Sequence, residues 1–195
     1  MAAAGNAEAT KELILAAAMA EFSAHGIAGG RVDRIAKEAG CNKNLIYIYF
    51  ENKETLFTTV LSKNLLRVYE EQVFTPDDLP GYAARIFDFA MANPDLMRLM
   101  AWSSLEQSVQ TPPARGAARD SKVVELAKGQ AAGEIGTAFP PDFLLTVIMT
   151  LATAWTAASP FGPSLAPKSE EHPDELRKNV AAAVAAIVST KNETG

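Results

Sequence analysis

The side chains best suited to a chemical role lie close together, between residues 43 and 49. Lys43 can pair with a phosphate or with the edge of guanine, and Asn44 can hydrogen-bond to adenine or to a phosphate. Tyr47 and Tyr49 each have a hydroxyl that can donate to a phosphate oxygen. This combination of ammonium, amide and phenol groups indicates binding to nucleic acid.

The residues just before this stretch predict a short helix followed by a glycine turn. Apolar residues at helical spacing give that helix one apolar face, formed by Val32, Ile35, Ala36 and Ala39. Gly40 can adopt the left-handed conformation that ends a helix. Cys41 adds a compact apolar side chain to the turn. Asn42 then stands where its side chain can cap the next helix.

The second helix is predicted to run from about Lys43 to Phe50. Ile46 and Phe50 are four residues apart and should point inward. The opposite side then presents Lys43, Asn44, Tyr47 and Ile48. Leu45 and Ile48 are apolar where a solvated helix favours polar residues, and contact with thymine methyl groups would explain one or both. The pattern is typical of a helix-turn-helix whose second helix enters the major groove.

Spacing alone leaves an alternative open, because two short helices joined by glycine also occur in ordinary all-helical proteins. In that case Tyr47 and Tyr49 would be half-buried core residues. The net charge of −5 argues against indiscriminate nucleic-acid binding. Between residues 31 and 53, five basic residues against three acidic ones leave a local balance of +2. Such a modest balance predicts that affinity requires two copies of the motif acting together.

The first sixty or so residues resemble the DNA-binding domain of the TetR family of bacterial transcriptional regulators. The run I-A-K-E-A-G at 35–40 resembles the family's second helix, and N-L-I-Y-I-Y-F-E-N-K-E-T-L-F at 44–57 resembles its recognition helix and the start of the fourth. Ile14, Ala18 and Phe22, followed by His25-Gly26, resemble its first helix. Tyr47, Phe50 and Lys53 match the most typical family positions. The resemblance implies that residues 31, 42–45, 47–49 and 53 contact DNA.

Three positions depart from the family pattern. Gly29-Gly30-Arg31 replaces the Thr or Ser that usually caps the second helix and touches a phosphate. Arg31 can replace the phosphate contact by charge, but the cap is weaker. Leu45 stands where a small or hydroxyl residue is common, and Tyr49 where His is common. The operator sequence therefore cannot be carried over from the family.

The chain is predicted to be all-α, with a three-helix DNA-binding domain at residues 1–52 and a helical effector-binding and dimerisation domain at 53–195. All eleven prolines lie at or after Pro76. Helices are predicted at 9–25, 53–73, 81–92, 94–107, 114–128, 141–158 and 173–190, several of them opened by proline. Glycines at 129, 133 and 136 suggest a flexible connection, as does the stretch 159–172. The helix 53–73 is expected to link the two domains and to transmit a signal by tilting.

The last two predicted helices have more apolar surface than one chain needs to bury. Residues 143–158 are apolar nearly all round, and a stripe with a spacing of four follows, formed by Leu176, Val180, Val184 and Val188 and widened by Ile187. A twofold four-helix interface would cover this surface. The resemblance points the same way, since family members generally dimerise through their last two long helices. We therefore expect a homodimer.

The resemblance also implies that the second domain binds a small-molecule effector. The candidate lining residues are apolar or aromatic, and they are Phe87, Met91, Met100, Trp102, Phe143 and Trp155. Such a cavity would suit an apolar, planar effector. Each of these residues is individually more typical of a core position. Arg98, Glu106 or Thr153 could add polar specificity.

Other functional classes fit the sequence less well. His25 and His172 are far apart, and no catalytic triad, metal-ligand cluster or phosphate-cradling glycine loop stands out, so we expect neither catalysis nor a metal or other cofactor. The single cysteine fits a reducing cytoplasm, and neither a secretory signal nor a membrane span is predicted. The interpretation is a cytoplasmic transcriptional regulator, most simply a repressor. The alternative is a helical small-molecule-binding or scaffold protein that has lost DNA binding.

Overall fold

A computed structural model describes residues 2–106, 113–166 and 171–191 of the chain. Within these ranges the fold is entirely helical and contains no strand, which confirms the all-α class. The helices there are α1 (Ala2–Gly29), α2 (Val32–Glu38), α3 (Lys43–Phe50), α4 (Lys53–Glu71), α5 (Leu79–Ala92), α6 (Pro94–Leu105), α7 (Pro113–Ala131), α8 (Pro141–Thr153), α9 (Gly162–Leu165) and α10 (Pro173–Ser189). The predicted helix end at Gln107 and residues 167–170 of the predicted connection lie outside the described residues.

Helix α8 ends five residues before the predicted boundary at residue 158. The N–H of Ala154 bonds to the carbonyl of Leu151, and the hydroxyl of Thr156 donates to the carbonyl of Thr153 at 2.9 Å. These short-range bonds tighten the chain and replace the α-helical pattern. Gly162 at the start of α9 lies so close to the carbonyl of Ala154 that a β-carbon would clash.

The segment between α7 and α8, where glycines predicted a flexible connection, is held by hydrogen bonds, and Gly129 lies within α7. The N–H of Gly136 donates to the carbonyl of Val188 at 2.6 Å, and the N–H of Ala138 donates to that of Thr190 at 3.2 Å. The side chain of Gln130 donates to the carbonyls of Gly136 and Phe139. These bonds satisfy loop groups and the last turn of α10 together.

The chain divides into two compact units. The first comprises Met1–Arg67 with Asp95–Pro113, and the second comprises Val68–Pro94 with Ala114–Gly195. This division differs from the boundary expected between residues 52 and 53, because most of α4 and all but the first residue of α6 belong with the N-terminal helices. Helical periodicity reports which face of a helix is apolar but not which partner covers that face.

The first unit is organised around α1, which is broken at Gly26. Gly26 has a φ of 65°, a left-handed conformation that favours glycine. The break exposes backbone N–H groups, and the carboxylate of Glu106 accepts from those of Ile27 at 2.9 Å and Ala28 at 3.2 Å. The indole of Trp102 donates to the carbonyl of Ser23 at 3.3 Å. The end of α6 thus caps the broken end of α1 within this unit.

The second unit has a core formed mainly by α5, α8 and α10. Helix α5 packs against both of the others. The core members are fully or nearly fully buried, and they include Tyr82, Ile86, Phe87, Leu126, Leu144, Ile148, Leu176, Val180 and Val184. Three residues of the stripe predicted on α10, at positions 176, 180 and 184, are therefore buried in the core of this unit.

Replacing Gly26 by alanine should destabilise the first unit strongly. An added β-carbon would lie 2.5 Å from Glu106 Oε1 and 2.8 Å from the Trp102 ring, and it would also be strained by the positive φ. We expect a loss of about 3 kcal/mol in the free energy of unfolding. Gly133→Ala is the matched control, because Gly133 has a φ of 75° with open space around it, and it should cost only about 1 kcal/mol. Equal losses in urea titrations of the two variants would contradict the close approach.

Candidate nucleic-acid interface

Helix α3 is short, and its orientation is set by two buried side chains. Ile46 is 1% exposed and Phe50 is 2% exposed, as their spacing predicted. At its start the side chain of Asn42 accepts a hydrogen bond from the N–H of Asn44 at 2.9 Å, so the predicted cap is confirmed. The helix ends at Glu51, whose φ of 62° interrupts the helical path. Both ends of α3 agree with the sequence-based bounds.

The face of α3 opposite these residues is open to solvent. Tyr47 is 41% exposed and Ile48 is 73% exposed, an unusual position for a large apolar side chain. Lys43 and Asn44 are exposed on the same helix. The alternative of a half-buried core residue therefore does not apply to Tyr47. The open face contains the donors and the apolar group that base and phosphate contacts require.

Two other candidate residues of α3 lie at the edge of this face. Leu45 and Tyr49 are half-buried. The Tyr49 ring packs edge-to-face against that of Phe50, with 6.3 Å between the ring centroids. The Tyr49 ring is thus fixed by this contact with Phe50, and it helps to pack α3 against the rest of its unit.

Lys43 is held in place by a carboxylate of α2. Its Nζ lies 2.8 Å from Asp33 Oδ1, and both side chains are largely exposed. The hydrogen bond that Lys43 donates to Asp33 and the negative charge of Asp33 raise the pKa of Lys43. Lys43 therefore stays protonated and is directed along the start of α3, where a helix N-terminus also favours phosphate.

Lys53 and Arg31 flank the motif in different ways. The Nζ of Lys53 donates to the carbonyl of Gly30 at 3.3 Å, so part of its hydrogen-bonding capacity fixes the connection between α1 and α2. Arg31 is exposed, and its side chain makes no cap bond to α2.

A residue that the sequence reasoning did not single out replaces the missing cap. Glu21 Oε1 of α1 accepts the backbone N–H of Arg31 at 2.7 Å, and the same carboxylate is bound by the guanidinium of Arg34 at 2.5–2.8 Å. Burial would raise the pKa of Glu21, but the bonds from Arg34 and from the Arg31 N–H outweigh it and lower the pKa. Glu21 and Arg34 are 13 residues apart, so no local pattern could have indicated the pair.

Comparison with known proteins agrees with this geometry. Residues 14–60 match the family described as bacterial regulatory proteins, tetR family, and residues 78–185 match the tetracyclin repressor-like C-terminal domain. The HTH-type transcriptional repressor SCO4008 of Streptomyces coelicolor is 40% identical over 161 residues, which cover 81% of this chain and 83% of that protein. The chain belongs to the tetR family. It is a DNA-binding transcriptional regulator.

Two further relatives support the assignment. The crystal structure of SCO4942 from Streptomyces coelicolor has a TM-score of 0.80 at 34% identity, with 91% of this chain and 97% of that one covered. The HTH-type transcriptional repressor NicS of Pseudomonas putida is 31% identical over 65% of this chain and 60% of its own. The TetR resemblance of the N-terminal motif is thereby confirmed over most of the chain.

The six candidate effector-lining residues of this TetR-family chain are divided between the two units. Met100 and Trp102 lie on α6 in the first unit, where Trp102 binds α1. Phe87, Met91, Phe143 and Trp155 lie in the second unit, where Phe87 is a buried core residue and Trp155 packs against that core. Phe143 is 50% exposed and stacks on Phe139.

The three polar candidates for effector specificity already have hydrogen-bond or ion-pair partners within the protein. The Glu106 carboxylate caps the break in α1, as described above, and the Thr153 hydroxyl donates to the carbonyl of Met149 at 2.8 Å. Arg98 pairs with Asp95 one turn away on α6.

In the described part of the chain no helix is both long and apolar enough to cross a bilayer, and no cluster of three potential metal ligands occurs.

Glu21→Ala should destabilise the first unit by about 2 kcal/mol, because Arg34 and the start of α2 lose a charged acceptor. Glu12→Ala is the matched control on α1, where the exposed pair with Lys63 should contribute only about 0.5 kcal/mol. The lowered pKa of Glu21 means that its contribution is present above the ordinary carboxyl pKa and is lost as pH falls through the lowered value. Urea titrations at neutral and acidic pH measure this. A difference between wild type and Glu21→Ala that did not shrink in acid would contradict the assignment.

Proposed function

We propose that the chain is a repressor that binds a roughly palindromic operator as a homodimer and is released by a small apolar ligand. The observation that supports DNA reading by α3 is the exposed face with Tyr47 and Ile48, opposite the buried Ile46 and Phe50. The name of the SCO4008 relative, an HTH-type transcriptional repressor, supports repression over activation. The proposed place of action is the cytoplasm, where the operator lies.

Within this proposal the residues of the motif make different kinds of contact with DNA. Lys43, Tyr47 and Arg31 bind phosphates, and Asn44 reads a base edge or a phosphate. Ile48 packs against a thymine methyl group. Further predicted contacts at the edge of the same face come from Asn42, Leu45, Tyr49 and Lys53. Because Asn42 already caps α3 and Lys53 already binds Gly30, their contacts to DNA would use the remaining donor groups of each side chain.

Lys43→Ala and Tyr47→Phe should each weaken operator binding about tenfold without lowering the free energy of unfolding, because both side chains are exposed. Loss of the Lys43 phosphate contact should also reduce the slope of log K against log salt by about 0.9. The measurement is a salt titration of binding to an operator selected from a random DNA pool.

Lys128→Ala is the matched control for this measurement. Lys128 is an exposed lysine of the second unit paired with Glu125, and its removal should change neither affinity nor slope. A random pool that yields no enriched sequence, or equal binding by wild type and Lys43→Ala, would contradict DNA reading by α3 and would favour a carrier or scaffold protein.

The proposed dimer interface uses the outer surfaces of α8 and α10. On α10 the face that is not buried in the core presents small exposed residues, which are Ala182, Ala185, Ala186 and Ser189. Small side chains at this spacing allow two helices to approach closely. Ile187 and Val188 are half-buried beside them, as are Val147 and Leu151 on α8. A twofold arrangement would place two α3 helices at half-sites about 34 Å apart, or at a multiple of that distance.

Ala185→Arg should convert the dimer into a monomer, because a long cation would stand in the closely packed surface. Light scattering coupled to size exclusion should show the mass falling to one chain, and operator affinity should fall with it. Ala127→Arg, at an exposed alanine of α7, is the matched control and should leave the mass unchanged. A dimer that persists in Ala185→Arg would place the interface elsewhere.

Release by a ligand requires that the ligand bind one arrangement of the two DNA-binding units better than the other. We propose that tilting of α4 moves the two copies of α3 out of step with the major groove. The candidate lining residues in the second unit are Phe87, Met91, Phe143 and Trp155, and Met100 and Trp102 are those in the first.

A further inference from the structure

The second unit contains a lysine surrounded by aromatic rings. The Nζ of Lys122 on α7 lies 5.7 Å from the ring centroid of Tyr69, 5.9 Å from that of Phe74 and 5.4 Å from that of Tyr82. It donates a hydrogen bond to the Tyr82 hydroxyl at 2.9 Å. The rings come from α4, from the segment before α5 and from α5 itself. Four separate parts of the chain thus meet at one ammonium group.

This ammonium group has no carboxylate partner within the described ranges. Burial alone lowers the pKa of Lys122. Asp78, four residues before Tyr82, pairs with Arg85, whose Nη1 lies 3.9 Å from it, and a further cation, Arg115, acts on Tyr69.

Tyr82 does not supply the missing negative charge. Its side chain is fully buried, and burial raises its pKa to about 12. The phenol is therefore neutral at physiological pH and can act toward Lys122 only as a neutral acceptor. An ammonium group has three donors, and Tyr82 occupies one of them. Because no second acceptor for Lys122 occurs among the described residues, the other two donors can bind an acceptor from outside the protein.

The cluster is only partly buried. Tyr82 is fully buried, whereas Lys122, Tyr69 and Phe74 are all half-buried. Ring faces attract a cation and repel an anion. An anion must therefore reach the Lys122 ammonium from the side that the rings leave uncovered, while an attached apolar group can lie against the ring edges.

We propose that Lys122, with Tyr69, Phe74 and Tyr82, forms a binding site for the carboxylate group of a small apolar acid. The inference that this acid is the effector rests on the proposed ligand-controlled repression, but binding at the site does not. The acid needs one negative charge at one end, to pair with one ammonium, and an apolar body for the surrounding rings.

The same geometry disfavours a phosphate. Phosphate groups are typically held by several donors, such as the fork of an arginine or a row of backbone N–H groups. Here one ammonium is available, because the Tyr82 hydroxyl is buried and directed at Met149 Sδ, and the second negative charge of a phosphate would face aromatic rings. A monocarboxylate leaves no such excess charge.

The test compares acids with their uncharged amides on the full-length chain. Octanoate and 3-phenylpropanoate are titrated calorimetrically against wild type, beside octanamide, 3-phenylpropanamide and inorganic phosphate. We expect at least one acid to bind about tenfold or more tightly than its amide and more tightly than phosphate. Lys122→Met keeps the length of the side chain without its charge and should lose that preference about tenfold or more. Lys128→Met, at an exposed lysine on the same helix, should retain it.

A second measurement does not depend on a variant folding. The ¹³C resonance of the Lys122 ε-carbon reports its titration in wild type, and a bound carboxylate should raise the pKa of Lys122 from its lowered value. Failure of both acids to bind wild type, equal acid binding by Lys122→Met, or an unmoved Lys122 titration in the presence of bound acid would overturn the proposal. Binding through Lys122 that leaves operator affinity unchanged would support the site and contradict only its role in repression.

Discussion

The function of this chain depends on the burial of Ile46 and Phe50. A helix of eight residues is too short to be stable in water on its own, so α3 exists because these two side chains are covered by the rest of its unit. Their spacing of four residues also fixes the rotation of the helix, and Tyr47 and Ile48 must then face outward. Local stability and the composition of the reading face are thus set by the same two contacts.

The neighbouring charges act on this helix more by fixing it than by attracting DNA. Asp33 holds Lys43, the Glu21 carboxylate holds Arg34 and the start of α2, and Lys53 binds a carbonyl before α2. Cations engaged in this way contribute less free charge than their number implies, which agrees with the modest local balance. An interface of this kind gains affinity from two copies and from well-placed contacts rather than from a strongly positive surface.

The sequence predicted those parts of the fold that depend on neighbours in the chain. The bounds of α3 followed from the Asn42 cap and from helical periodicity, and the family assignment followed from a local signature. Contacts between distant residues were not predictable from one sequence. The Glu106 carboxylate that caps α1 is 79 residues from Ile27, and the Glu21 substitute for a Thr cap lies a helix away from the position it serves. The aromatic rings around Lys122 are equally non-local.

The two units differ in how a partly buried charge is balanced by its neighbours. In the first, the Glu21 carboxylate is balanced by Arg34, and its lowered pKa shows that the pairing outweighs the cost of burial. In the second, burial lowers the pKa of Lys122, and in the part of the chain that the structure describes only ring faces and a neutral phenol oppose it. The three ring faces and the Tyr82 hydroxyl offset part of that desolvation cost, but no carboxylate among the described residues balances the charge. Positions where a protein accepts such a cost are more often explained by what they bind than by what they stabilise.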